Sequence, residues 1–456
     1  MTDRPIHAQS AEDVLRIAGD NPWRKYPAPQ SQGDRLYPIA RPRPRPSFAI
    51  APGDSIYAMG SCFARNLEGA LDQLGLEVLS RRLNYADMVP EDRLAANFLN
   101  KYSIHSMLND LEWALDPSSY PGETAVFHLP RGANMIFDPQ LGIPKLPGPV
   151  ADVLAFKERY FASVGQIFQA DVIILTLGYV ETWFDIGLGR YLNLAPPRQV
   201  VEAHPGRFEF RVLSYEDVLA GLRRFHALLV AHRDRPLRLL ATVSPVPMAA
   251  TFRDCDVLTA NAYSKAVQRA ALEQFAAETE GVDYFPSYES VALSDPAVAW
   301  RADDYRHVSG DMVMQIMDSV LRAYMGEEVA AQTREDTHPD ATILAEARLL
   351  SRAENWTELA ALLDADPAVM DRHPNLIGMR ATACKALGDL DGCYAILHRG
   401  HSIAPEQPGF VERMVWVSVH AGETLRAQQW FRYHRDNFPD RHADFRAQIG
   451  ASLDVA

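Results

Sequence analysis

The feature that most constrains this chain is a run of short, uninterrupted apolar segments separated by long helical patterns, spread from Ser55 to about Met325. Ile56–Met59, Glu77–Leu79, Asp171–Gly178 (DVIILTLG), Arg238–Val246 (RLLATVSPV) and Val282–Glu289 (VDYFPSYE) read as strands. Between them, helical spacing predicts helices over Ala95–Leu115, Val153–Phe168, Tyr215–His232 and Leu258–Thr279. A strand that is apolar on both sides of its pleat needs cover on both, and a helix between consecutive strands lets them run parallel. The expected fold class is therefore α/β, a parallel sheet with helices on each face.

The flanking regions read differently. Residues 1–50 are rich in proline and arginine, ending in Arg41–Pro46 (RPRPRP), and are expected to form an extended segment that is neither helix nor central strand. The α/β domain is placed at 51–325 and a polar, acidic linker at 326–341. Over 342–456 the pattern turns all-helical. Gly388 and Gly422, Cys393 and Ala427, Leu397 and Phe431, and Pro405 and Pro439 are pairs 34 residues apart. That period marks tetratricopeptide-like helical hairpins, expected either to stabilise the α/β domain by packing on it or to offer a surface to a protein partner.

Charge and cysteine content remove several function classes. Across 456 residues the net charge is -14, which repels nucleic acid and anionic membrane. The four cysteines (Cys62, Cys255, Cys384, Cys393) show no paired zinc spacing, and no metal or cofactor is expected. The amino-terminal residues lack the apolar core of a signal peptide, and the longest aliphatic run, Val172–Leu177, is far short of a membrane span. The expected setting is the cytoplasm.

Two places can carry chemistry. At Gly60-Ser61-Cys62 a hydroxyl and a thiol stand where the first strand passes into a helix that carries Phe63, Leu67, Ala70 and Leu71 on one face. In an open α/β sheet that junction borders the ligand crevice. The plainer alternative is that Ser61 caps the helix. Asp304-x-x-His307 brings a carboxylate within reach of an imidazole on one loop; a serine nucleophile needs such a base, and the base needs an orienting acid. Gly187–Arg190 (GLGR) lacks the rest of a dinucleotide fingerprint and reads as a turn.

Met59–Asn66 (MGSCFARN) resembles the signature of the GSCFA domain family, as do Thr176–Gly178 with Glu181 and Trp183, Thr242–Val246, Asn261–Lys265 (NAYSK), Tyr284–Glu289 and the Asp304/His307 pair. That family is similar to the SGNH/GDSL hydrolases and acyltransferases. The resemblance implies a three-layer α/β/α, flavodoxin-like sheet, with Ser61 as nucleophile, His307 as general base and Asp304 as its orienter. The implied activity is that of a serine esterase or O-acyltransferase acting on a carbohydrate or glycoconjugate ester. Two departures stand out: the acid that usually precedes the serine is absent, and the strand ending at Gly178 continues into Tyr-Val-Glu where the larger group places an asparagine oxyanion donor. The amides of Ser61 and Gly178, with the Asn84 side chain, are the expected substitutes. Glu181 is expected to contact substrate or an internal arginine, and Cys62 is the competing nucleophile. The alternative to an enzyme is an inactive binding or scaffold protein that recruits a partner through its repeats.

Overall fold

The computed structural model describes residues 5–29, 35–73, 75–84, 88, 98–129, 135–143, 145–302, 304–327 and 340–449. Contacts divide the chain into two units, 1–338 and 339–456.

The first unit is built on five strands: β1 (Ser55–Gly60), β2 (Glu77–Val78), β3 (Val172–Leu177), β4 (Leu239–Val243) and β5 (Val282–Tyr284). All pairings are parallel, in the spatial order β5-β4-β3-β1-β2. Every residue of β1, β3 and β4 is buried, as their continuous apolar character requires. Alternate side chains (Tyr57 and Met59; Ile173, Leu175 and Leu177; Leu239, Ala241 and Val243) enter one large core with the helices Ile104–Leu115, Val150–Val164, Tyr215–Ala231 and Val257–Glu278. The helix Cys62–Gln73 packs on β1 and β3 and against the helix Gly310–Met325. The chain leaves β1 for β2 on one side and returns to β3 on the other. The crevice at the carboxyl ends of β1 and β3 is thus where such a sheet binds ligands.

Several elements depart from the sequence expectation. Ala11–Asp20 is a helix, capped by Ser10, within a segment expected to exclude one. The proline argument holds only after Asn21, since AEDVLRIAGD contains no proline. From Pro38 to Ile50 the chain does lie extended over the domain: Ala40 N–H donates to Ser294 Oγ (2.8 Å), Ser47 N–H to Asp283 Oδ2 (2.8 Å) and Ile50 N–H to the Tyr324 carbonyl (2.8 Å). The expected helix over Ala95–Leu115 begins at Ile104, with 95–97 outside the described residues. Between β3 and the helix Tyr215–Ala231 stands a three-stranded antiparallel sheet (Glu181–Asp185, Arg190–Leu192, Phe208–Val212), whose first hairpin turns at the predicted Gly187–Arg190. Before the helix that begins at Val150 stands a second small antiparallel sheet, Phe127–His128, Met135–Phe137 and Leu146–Pro147.

Two ion pairs lie wholly inside this unit. Lys101 Nζ meets Asp110 Oδ2 at 2.6 Å and Lys157 Nζ meets Asp138 Oδ2 at 2.8 Å. The Tyr160 hydroxyl also donates to Asp110 Oδ2 (2.6 Å), so that carboxylate is shared.

The second unit is helical. Helices beginning at Pro374 and Leu390 recur at Pro408 and Thr424, matching the 34-residue offset. Leu376, Ile377, Leu397, Phe410, Val411 and Met414 form its core. Most of the expected linker falls outside the described residues. Among the described residues no helix is long and apolar enough to cross a membrane.

Candidate functional site

The carboxyl ends of β1 and β3 are held unusually close. Gly60 has φ +150°, and a Cβ there would sit 2.2 Å from Thr176 Oγ1 and 2.3 Å from the Thr176 carbonyl oxygen, so only glycine fits. Gly178 is similarly confined, its ideal Cβ position lying 2.8 Å from the Tyr102 carbonyl oxygen. These approaches bring the start of the helix Cys62–Gln73 to the floor of a cleft of about 450 Å³, within the range of small-molecule sites.

Ser61 is only 3% exposed and its hydroxyl is fully engaged. It donates to Ser244 Oγ (2.9 Å), lies 3.4 Å from Thr176 Oγ1, and accepts from Phe63 N–H (3.3 Å). The last contact is a helix cap. Cys62, the first helical residue, is partly exposed and lines the cleft. Burial pushes its thiol above the usual range, while the charges of Arg306 and Lys265 and the backbone N–H groups of Phe63 and Cys62 pull the other way.

The wall facing this helix start comes from the segment before the last long helix of the unit. Trp300 and Val308 form an antiparallel bridge and Arg301 N–H donates to the His307 carbonyl (2.8 Å), closing a tight loop. Asp304 organises that loop. Its Oδ1 accepts from the N–H groups of Arg306 (2.8 Å) and His307 (2.7 Å), and its Oδ2 holds His307 Nδ1 at 2.5 Å. These bonds, the His307 amide first, keep the Asp304 carboxyl far below the ordinary carboxylate range. An ionised Asp304 bonded at Nδ1 fixes the imidazole so that Nε2 is the nitrogen left to act as base. His307 and Arg306 both line the cleft. No hydrogen bond joins His307 to Ser61 or Cys62 among the described residues; in unliganded sites such contacts often tighten only with substrate.

The expected oxyanion donors are placed differently. Ser61 N–H donates to Thr176 Oγ1 (3.1 Å), and Gly178 N–H donates to the Tyr102 carbonyl (3.0 Å). Both amides are therefore committed within the protein. Asn84 is exposed and lines a separate depression with Arg82, Leu83 and Arg159, away from the cleft. Glu181 is buried and lines the cleft. It accepts from Thr251 Oγ1 (2.6 Å) and Phe252 N–H (3.1 Å), anchoring the loop Val246–Phe252 that forms one wall.

The block Asn261–Lys265 supplies residues to which sequence reasoning gave no role. From the first turns of the helix Val257–Glu278, Asn261 Oδ1 accepts from Met248 N–H (3.2 Å) and Ser264 Oγ from Val180 N–H (3.0 Å). Lys265 Nζ donates to the carbonyls of Gly178 (2.7 Å) and Val246 (2.8 Å). Three side chains thus hold the two loops that follow β3 and β4. Burial lowers the Lys265 pKa from 10.5 to about 7, against an opposing pull from Cys62. Aromatic side chains form part of the lining: Tyr102 stacks on Tyr179 (centroids 5.0 Å apart) and Trp183 meets Phe252 edge-on (5.3 Å). No group of three or more potential metal ligands occurs among the described residues.

Fold and site together define a mixed α/β protein, a five-stranded parallel sheet whose crevice joins a Ser-Cys helix start to a carboxylate-bound histidine. The chain belongs to the GSCFA family, whose model matches residues 55–319, from the first residue of β1 into the helix Gly310–Met325. No curated protein and no solved structure matches it.

Proposed function

We propose that the chain is an ester hydrolase or O-acyltransferase of SGNH type, working through a covalent acyl-enzyme on an ester of a carbohydrate or glycoconjugate. The observation that carries this reading is the Asp304–His307 pair in the same cleft as a nucleophile-bearing helix start. The sheet order supports it: counted along the chain it is 2-1-3-4-5, the flavodoxin-like order, with the cleft at its switch point. Aromatic walls offer flat apolar surfaces on which the C–H face of a sugar ring can pack. Arg306 lines the same cleft and supplies a cation for a developing oxyanion. Four free cysteines suit a reducing, cytoplasmic setting, and the 34-residue helical pairs suit a tetratricopeptide-like surface for a protein partner.

The test is turnover of p-nitrophenyl acetate and O-acetylated sugars by the full-length chain and by His307→Gln. Loss of the base should lower kcat by at least about a hundredfold. No turnover by the wild type, or equal turnover by both, refutes the reading. The second reading, a binding protein without catalysis, draws on the committed amides of Ser61 and Gly178. It requires sugar binding with no acyl transfer.

A further inference from the structure

We propose that the attacking atom is the Cys62 sulfur and that Ser61 is a positioning residue; this rests on the acyl-transfer reading above. The hydrogen-bond capacity of Ser61 is already used. Its proton is directed to Ser244 Oγ, and its oxygen caps the helix at Phe63 N–H. Releasing it for attack would break both bonds inside a site where Ser244 is fully buried. Both residues line the cleft, but Ser61 is only 3% exposed with its hydroxyl bound inside the protein, whereas Cys62 is partly exposed to the cleft.

Three further observations converge on the thiol. Arg306, the neighbour of His307 on the Asp304 loop, lines the same cleft as Cys62, and its charge opposes the burial that raises the thiol. Lys265, in its protonated form, opposes that burial in the same way. Cys62 is also the first residue of a twelve-residue helix, where the backbone dipole favours negative charge.

The chemistry balances without any further reactant. His307 Nε2 takes the Cys62 proton as Sγ bonds to the ester carbonyl carbon. The resulting tetrahedral oxyanion collapses, the carbon–oxygen bond to the sugar breaks, and the leaving alkoxide takes the proton back from His307, leaving a Cys62 thioester. Water or a second hydroxyl then adds to the thioester carbonyl with His307 again accepting the proton. The thiolate departs, is reprotonated, and a free acid or a new ester is released.

The full-length protein is mixed with p-nitrophenyl acetate, quenched in acid, and the peptide containing residues 59–65 is mapped by mass. We expect one acetyl group that neutral hydroxylamine removes, as it does a thioester. Prior treatment with iodoacetamide should block that acetylation. An acetyl group that resists hydroxylamine, maps to Ser61 and survives iodoacetamide overturns the inference while leaving acyl transfer intact. A second readout needs no turnover: the rate of Cys62 alkylation by iodoacetamide in wild type and His307→Gln, with exposed Cys255 as internal reference. At least a fivefold slowing specific to Cys62 supports a thiol served by His307, even if no ester is cleaved and the acyl-transfer reading falls. Equal rates in the two proteins overturn it.

Discussion

Replacing Lys265 by methionine should change how the stability of this protein depends on pH. Lys265 is wholly buried, and its folded pKa of about 7 lies well below that of an exposed lysine. Between those two values the unfolded chain binds a proton that the folded chain does not. Stability therefore rises with pH through that window and is independent of this group below it. With a slope approaching about 1.4 kcal/mol per pH unit, the native state should gain about 2 kcal/mol from this lysine between pH 7 and pH 9. Methionine has similar volume and no proton to exchange, so Lys265→Met removes the gain. It also leaves the carbonyls of Gly178 and Val246 without their donor, a penalty of about 1–3 kcal/mol for each that stays unsatisfied, with no pH dependence. Urea unfolding of both full-length proteins, followed by tryptophan fluorescence at pH 7 and pH 9, isolates the effect. Every other titrating group contributes to both, so the stability difference between wild type and variant should shift by about 2 kcal/mol in favour of wild type as pH rises. A shift under about 0.5 kcal/mol, or one of opposite sign, would refute the idea that this lysine is held largely neutral by burial.

Asp110→Ala should destabilise the first unit by about 3–5 kcal/mol, because it strands the Lys101 ammonium inside the protein. The companion Lys101→Met, Asp110→Leu double variant should recover much of that in the same unfolding assay; equal losses in single and double variants would refute the pairing argument. Glu181→Gln keeps the side-chain volume but loses the charge that accepts from Thr251 and Phe252, so the loop Val246–Phe252 should loosen. KM for an aryl acetate should rise several-fold with kcat less affected, and a fall in kcat alone would mean that Glu181 acts on the reacting atoms instead.

The parts of the fold that could be read from sequence are those in which burial leaves a continuous mark. β1, β3 and β4 are buried on both sides and show as unbroken apolar runs, and the helices between them are long enough for their period to be counted. The antiparallel insertion Glu181–Val212 left no such mark. Its strands are three to five residues long and its outer strand, Phe208–Val212, has no fully buried residue. Asn84 shows the limit for sites: a polar residue in the segment after β2 has no spacing rule tying it to the end of β1, and the chain carries it elsewhere. Lys265 is the reverse case. A lysine on a helix ordinarily reads as solvent-facing, and only the two carbonyls converging on its Nζ reveal what it holds.

The Ser61–Cys62 pair marks where sequence reasoning meets a geometric boundary. In a helix successive side chains are separated by about 100° of rotation, so a shift of one residue in where the helix begins decides which of two neighbours faces the crevice. A serine just before an apolar helical face satisfies two rules at once, cap and nucleophile, and composition cannot choose between them. What separates them is the supply of partners. A residue acting as cap has its oxygen committed to the helix, and one whose proton also has an acceptor needs no base. Ser61 meets both conditions, through Phe63 two residues on and through Ser244, which no sequence pattern ties to it. Ser244 lies 183 positions away, brought beside Ser61 by β4 standing next to β3 and β3 next to β1. The identity of the attacking atom is therefore a property of the sheet order, and substituting Ser244 should matter to it: in Ser244→Ala the Ser61 proton loses its acceptor, and a share of the acetyl label from p-nitrophenyl acetate should move to Ser61 as a hydroxylamine-resistant ester. If the label stays entirely on Cys62 in that variant, the hydrogen bond to Ser244 is not what keeps Ser61 out of the reaction.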